Sequence, residues 1–425
     1  MKNIESISLN ELLGSIEIIP FNLPNFKGVA VDSRKVEEGF LFIALEGKKT
    51  DGHLFIQEAQ NRGAAAVIMK RGAKVSEVSI PLIAVDDPLA CLQEMARQLC
   101  RRHQAQIIGI TGSVGKTSTK EFLAAMLSKK FHIRASPGNA NTQIGLPLSI
   151  LNGLESKDDC LILEMAMTES GQIRRLVSIA PPDYALITAI ELAHAENFQS
   201  LEEIAQAKGE ILEHAKTKTA FLPESIRFRN LLESIGTCKK RIVKPGIVLS
   251  SLSKHQHANA NLAAAAAIEL GVSVADVQEA VHAIGTFNQR GEHIECDGIT
   301  FIDDTYNAVP ASVKAALSSL ANFPAKRRIA VLGSMLELGR FSEQNHKEVG
   351  LAACESADMF FCFGNEWKSA YQDLKIKGYN VQCFDDIYQL RNALDCQLKE
   401  GDLVLIKGSR SMQMERLLPE KRAFS

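Results

Sequence analysis

The stretch Gly109-Ile-Thr-Gly-Ser-Val-Gly-Lys-Thr-Ser118 decides the fold. The apolar, β-branched run Ile107 to Thr111 leads into it. The helical pattern KTSTKEFLAAMLSKKF, from Lys116, leaves it. A strand, a glycine-containing loop and a helix in that order read as one corner of a parallel α/β sheet. Such a corner gathers backbone N–H groups and a helix N-terminus at one point, which suits phosphate oxygens. Gly112, Ser113, Val114, Gly115, Lys116, Thr117 and Ser118 are therefore candidate nucleotide contacts. Lys116 would reach the β- and γ-phosphates as a point charge, and Thr117 would place a hydroxyl on Mg2+. The strict phosphate-loop pattern GxxxxGK[ST] wants glycine at 110, where this chain has Ile110. The segment is a TGSxGKT variant, and the plain alternative is a strand-turn-helix corner with an exposed lysine.

Outward from this loop, the 425 residues divide into three blocks, as expected at roughly 150 residues per domain. Residues 1–86 hold the apolar run Phe40 to Leu45, the helical stretch LFIQEAQNRGA and the strand AAVIM, a small α/β domain. Residues 87–296 open with the amphipathic pattern PLACLQEMARQLCRRH and carry the loop above. Further strands CLILEM and YALITAI follow, then the Ala-rich helix NLAAAAAIELG closed by Gly271. Residues 297–425 alternate strands (ITFIDD, RIAVLGS, MFFCFG, VQCF, DLVLIKG) with helices (ASVKAALSSLANF, SEQNHKEVGLAACE, DIYQLRNALDCQLKE). That alternation predicts a parallel, Rossmann-like sheet.

Composition narrows the function classes. Lys plus Arg total 48 against 50 Asp plus Glu. A near-neutral chain has no global field for gripping a nucleic-acid backbone or an anionic membrane. Any anionic ligand must be held by a local, built site. Glu5, Asn10 and Glu11 interrupt the apolar core that a signal peptide would need. No run approaches a membrane-spanning length, so membrane insertion is not expected. The nine cysteines are odd in number, scattered and without a CxxC pair. They predict neither a disulfide framework nor a metal cluster, and the expected compartment is the reducing cytoplasm. A monomer is expected, though no motif decides it.

TGSVGKTS resembles the TGTNGKTT-type loop of the Mur ligases, ATP-dependent amide-bond ligases of peptidoglycan synthesis, with Val114 where Asn is usual. Other segments resemble the MurF type, the UDP-N-acetylmuramoyl-tripeptide–D-alanyl-D-alanine ligases. They are VDSRKVEEGFLFIALEGKKTDGHLF, SPGNANTQIGLPLSIL, PDYALITAIELAH, SLEEIAQAKGEIL, IDDTYNAVPASVKAAL, VLGSMLELG and LIKGSRSMQME, in family order along nearly the whole chain. The resemblance implies a UDP-sugar domain, a central ATP-binding domain with a P-loop ATPase-like parallel sheet, and a C-terminal Rossmann-like ligase domain. It implies ATP and Mg2+ as cofactors, and UDP-N-acetylmuramoyl-tripeptide and D-Ala-D-Ala as small-molecule partners. A MurE-type ligase, which adds the third amino acid, is the alternative within the family, although no DNPR-like motif is present. A P-loop nucleotide-dependent regulatory protein is the alternative outside it.

The resemblance also implies roles for individual residues. Glu164 ends CLILEM, where a carboxylate is either a solvated strand-end group or a ligand; the family makes it a Mg2+ ligand. His194, in AIELAH where the family usually reads NIGPAH, would hold a second Mg2+. Lys208, otherwise a surface lysine, would be carbamylated and help hold that ion. Lys116, Glu164, His194 and Lys208 are thus the catalytic candidates. Asn259 and Arg290 are implied for nucleotide contact, and so are Asp304, Tyr306 and Asn307 of DDTYNAVP. Ser33, Arg34, Asn139, Asn141 and Thr142 are implied at the UDP sugar and phosphates, and Ser409 and Arg410 at the incoming substrate. Ser334 replaces a usual Asp in VLGSMLELG. The stretch between Lys208 and His255 is shorter than the family's usual one, which suggests that strands are lost there.

Overall fold

The computed structural model describes residues 26–47, 50–75, 77–246, 254–284 and 292–419. They form three sheets in sequence order. The first is wholly parallel, β1 (Gly28–Ala30), β2 (Phe40–Ile43), β3 (Ala66–Lys70) and β4 (Leu82–Val85), ordered as in the chain. The helix Pro88–Arg102 follows, capped by Asp87, whose carboxylate accepts from the N–H groups of Leu89 and Ala90. Its apolar face (Leu92, Met95, Ala96, Leu99) joins one core with residues of both the first and second sheets.

The second sheet contains β5 (Gln106–Thr111), β6 (Ile133–Ala135), β7 (Cys160–Glu164), β8 (Tyr184–Ile187), β9 (Thr219–Pro223) and β10 (Lys239–Val243). Its order is β10-β9-β8-β5-β7-β6, and every pairing is parallel. After β5 the chain runs to the β6 edge, returns beside β5 as β7, and then crosses to the other side as β8. The direction of winding reverses around β5, and open α/β sheets bind ligands outside the strand ends at such a point. The stretch between Lys208 and His255 supplies β9 and β10, so despite its shortness it completes a six-stranded sheet.

The helix Lys116–Leu127 packs Phe122, Leu123, Met126 and Leu127 against Ala260, Ala263, Ala264 and Ala267 of the helix Lys254–Glu269. Alanine on one side lets the two backbones approach. Each large apolar side chain so buried contributes roughly 1.5–3 kcal/mol. That contact fixes the direction of the helix whose N-terminus opens the phosphate loop.

The third sheet has the order β11-β12-β16-β13-β14-β15. Its strands are β11 (Glu292–Cys296), β12 (Ile299–Asp304), β13 (Arg327–Gly333), β14 (Met359–Phe363), β15 (Val381–Phe384) and β16 (Asp402–Lys407). It departs from the all-parallel expectation at its edge, where β11 pairs antiparallel with β12 through a tight turn at Asp297 and Gly298, both at positive φ. The helix expected over DIYQLRNALDCQLKE ends at Asp395. No helix among the described residues is long and apolar enough to cross a membrane. All nine cysteines are free thiols.

Candidate active site

Three strand ends meet at the winding reversal: Thr111 of β5, Glu164 of β7 and Ile187 of β8. The loop Gly112 to Gly115 lies across them. Gly112 has φ +146, and a Cβ there would lie 1.9 Å from Thr188 Oγ1. Gly115 has φ +82 and stands at the helix N-terminus, where a Cβ would lie 2.4 Å from Asn259 Oδ1. Both positions demand glycine through conformation and through close approach. Asn259 is thereby brought against the loop. Thr188 Oγ1 donates to the Val114 carbonyl. Ser113 donates from its N–H to Ala189 O (2.8 Å) and from its hydroxyl to Glu191 O (2.7 Å), while its hydroxyl accepts from Glu191 N (2.9 Å). The AIELAH stretch, unusual in its Glu191 and Leu192, thus holds the phosphate loop through its backbone.

Lys116 Nζ donates to Gly112 O at 2.7 Å. Thr117 Oγ1 donates to Glu164 Oε2 at 2.8 Å, and Asn141 Nδ2 donates to Glu164 Oε1 at 2.8 Å. Glu164 is only 3% exposed. Lys120 lies 3.9 Å from Glu164 Oε2 and donates to Ser136 O (2.7 Å) and Gly138 O (3.1 Å). Sequence reasoning missed Lys120, although its place three residues after Thr117 on a helix puts both on one face. It missed Thr188 too, whose signal was its position just past a central strand end.

Lys208 lies on the helix Leu201–Gly209 and is 1% exposed, not the solvated lysine that composition alone suggests. Among the described residues its ammonium has no hydrogen-bond or ion-pair partner. Burial pushes its pKa well below the usual lysine range, and repulsion from Lys116 adds to the effect. His194 stands in the left-handed region at φ +53 and pairs through Nδ1 with Glu337 of the third sheet's region. Its pKa is lowered. Burial acts first, and Lys116 and Lys208 reinforce it, outweighing the opposing pull of Glu337. Lys116, Lys208 and His194 therefore share one field beside the loop.

Asp304 pairs with Lys407 at 2.7 Å, and Lys407 also donates to Asn307 O at 2.8 Å. That buried lysine, missed in the sequence, braces the turn carrying half-buried Tyr306 and exposed Asn307. Ser409 is buried and its hydroxyl accepts from Leu336 N at 2.8 Å, whereas Arg410 is exposed and pairs with Glu415. Ser118 lies in the first turn of the loop's helix. Asn139 is exposed, and Thr142 accepts from Gly145 N at 3.2 Å at the start of the next helix. In the first block Ser33 donates to Glu58 at 2.7 Å, and Arg34, 78% exposed in its side chain, pairs with Asp32. No described contact joins Ser33 or Arg34 to the phosphate loop. Arg290 lies outside the described residues.

Comparison with known proteins agrees with this architecture. Residues 25–99 match the model of the Mur ligase family catalytic domain, 110–289 the Mur ligase middle domain, and 287–410 the Mur ligase glutamate ligase domain. A UDP-N-acetylmuramoyl-tripeptide–D-alanyl-D-alanine ligase of Treponema pallidum is 33% identical over 93% of each chain.

The chain belongs to the Mur ligase family, in its MurF branch.

Among solved structures, MurF of Acinetobacter baumannii superposes with a TM-score of 0.85 at 26% identity, covering 96% of this chain and 97% of that one. MurF of Thermotoga maritima in complex with ADP gives 0.79 at 30% identity, covering 92% and 96%.

Proposed function

We propose that this chain is an ATP-dependent amide-bond ligase that joins D-alanyl-D-alanine to UDP-N-acetylmuramoyl-tripeptide through an acyl phosphate, a step of peptidoglycan precursor synthesis. One observation carries the reading: the Thr117 hydroxyl and the buried Glu164 carboxylate touch at the mouth of a phosphate loop. These are hard oxygen donors at a helix N-terminus, the chemistry that a magnesium ion on a nucleotide phosphate requires. The oxygen donors of Thr117 and Glu164 fit Mg2+ and would hold one ion; His194, together with Lys208 if it is carbamylated, would hold a second. Bound there, Mg2+ neutralises charge on the phosphates during transfer.

The chain's own groups do the rest. Loop amides and Lys116 hold the β- and γ-phosphates, with Lys116 leaving its carbonyl partners to do so. The tripeptide carboxylate attacks the γ-phosphorus, releasing ADP and leaving an acyl phosphate. The amine of D-Ala-D-Ala then attacks the acyl carbon, and phosphate departs with the former carboxylate oxygen. Burial lowers the Lys208 pKa and so enlarges the share of neutral amine, the form that would take up CO2 and lose a proton to give a carbamate anion. Ser33, Arg34, Asn139, Asn141 and Thr142 are assigned to the UDP sugar and its phosphates. Asn259, Arg290, Asp304, Tyr306 and Asn307 are assigned to the nucleotide, and Ser409 and Arg410 to the incoming dipeptide. The regions 1–86, 87–296 and 297–425 would serve the sugar nucleotide, ATP and the ligation step, in a monomer working in the cytoplasm. Docking of the third region over the loop would keep water from the acyl phosphate.

Phosphate release from ATP tests this. It should depend on both UDP-N-acetylmuramoyl-tripeptide and D-Ala-D-Ala. Release with neither would make the chain an ATPase switch. Release with a UDP-N-acetylmuramoyl-dipeptide and free diaminopimelate would make it a MurE-type ligase.

A further inference from the structure

We infer that Glu337 is a positioning residue for the second cation site, fixing the His194 ring from across the contact between the central and C-terminal regions. The inference rests on the reading of His194 as a cation ligand. His194 is not aimed by regular structure: it sits in the left-handed region just before the short turn Ala195–Asn197. What aims it is Glu337, whose carboxylate takes the ring Nδ1. The same residue grips the following backbone, since its carbonyl accepts from Glu196 N at 3.0 Å.

Glu337 is itself held firmly. Its φ is +62, and the N–H groups just before it are all bound inside the C-terminal region. Ser334 N donates to Phe363 O (2.8 Å), Met335 N to His346 Nε2 (3.1 Å), and Leu336 N to Ser409 Oγ (2.8 Å). Met335 and Leu338 on either side are buried. Around this pair the two regions meet closely: a Cβ at Gly339 would lie 2.7 Å from Glu196 Cα, and Arg340 donates to Gln199 at 2.8 Å. Leu192 packs against the C-terminal core.

A histidine that binds a metal through one ring nitrogen is oriented by what the other nitrogen meets, and a carboxylate there fixes the tautomer and strengthens the ligand. With Nδ1 committed to Glu337, Nε2 is the nitrogen presented to a cation. Because Glu337 belongs to the other region, cation binding at His194 and docking of the C-terminal region favour each other by the same factor.

The test titrates MnCl2 into the full chain with a non-hydrolysable ATP analogue and counts bound Mn2+ by electron paramagnetic resonance. Wild type should show two sites. Glu337→Ala should weaken one of them roughly 10–100-fold, leaving the other and the unfolding midpoint unmoved. Glu337→Gln, whose amide oxygen still accepts from Nδ1–H, should recover most of the loss. His194→Ala should lose that same site. Wild-type Mn2+ binding in Glu337→Ala, with the site lost in His194→Ala, overturns the role of Glu337 alone. Two intact sites in His194→Ala overturn the ligand reading and the inference with it. A loss in Glu337→Ala that Gln does not recover, accompanied by a lower unfolding midpoint, makes the residue merely structural and also overturns it.

Discussion

Replacing Lys208 by methionine should make the central region more stable near neutral pH while abolishing turnover. The side chain is 1% exposed, its ammonium has no described partner, and Lys116 repels it. Its folded pKa therefore lies well below its ordinary value of 10.5. Between those two values the unfolded chain carries a proton that the folded chain does not. Stability must then rise with pH through that window, by about 1.4 kcal/mol per pH unit. Below the window both states are protonated and the full penalty of a buried cation is felt. Methionine has similar bulk and no charge, so it removes both the penalty and the slope. Hydrogen exchange of β5 and β7 amides, in CO2-free buffers across the alkaline range, reads this region alone. The ratio of wild-type to Lys208→Met protection should climb roughly tenfold per pH unit. Parallel protection in the two proteins at every pH would refute the buried, unpaired state of Lys208. Retained turnover in the methionine variant would refute its role in the site.

Three further outcomes follow from the loop. Lys116→Ala should lower turnover by about a hundred-fold or more, with the fold kept, because Nζ donates to the loop carbonyls of Gly112 and Ser113 at the phosphate site; near-normal turnover would contradict its assignment. Gly112→Ala should cost about 2–5 kcal/mol from positive φ and overpacking together, with weakened ADP binding by calorimetry, since the new methyl meets Thr188 Oγ1 at 1.9 Å. Glu164→Gln should destabilise by about 1.5–3 kcal/mol, the worth of hydrogen bonds to a charged acceptor, and should raise the Mg2+ concentration needed for half-maximal turnover. An unchanged Mg2+ requirement would remove Glu164 from the cation site.

Much of this was legible in the chain because local chemistry and global placement agree. The strand-loop-helix corner at Gly109–Ser118 carries its own glycine requirement and its own periodicity, and the structure places it at the winding reversal. Glu164 could be singled out because a carboxylate at a strand end in such a sheet faces the ligand side. Short edge strands such as β6 and β10 were harder: three to five residues of mixed polarity leave no alternation to read, and their pairing comes from the sheet beside them. The antiparallel β11 was missed for the same reason. Lys208 was unreadable as a buried residue, since QAKGE has the composition of a solvated helix and only the fold encloses it. Glu337 lies in VLGSMLELG, but nothing local marks it out from the rest of that segment. Its meaning lies in a contact between residues 143 positions apart, made where the central and C-terminal regions meet. Ser409, implied at the incoming substrate by the resemblance, has a second use that the sequence did not announce: its hydroxyl braces the loop before Glu337.

The central claim is that a substrate carboxylate, and not water, receives the γ-phosphoryl group and then becomes an amide. It is tested most directly with UDP-N-acetylmuramoyl-tripeptide carrying 18O in its terminal carboxylate, incubated with ATP, Mg2+ and D-Ala-D-Ala. Mass spectrometry should find one 18O atom in the released phosphate for each amide product formed. Phosphate free of label, or phosphate released without amide product, would contradict the account.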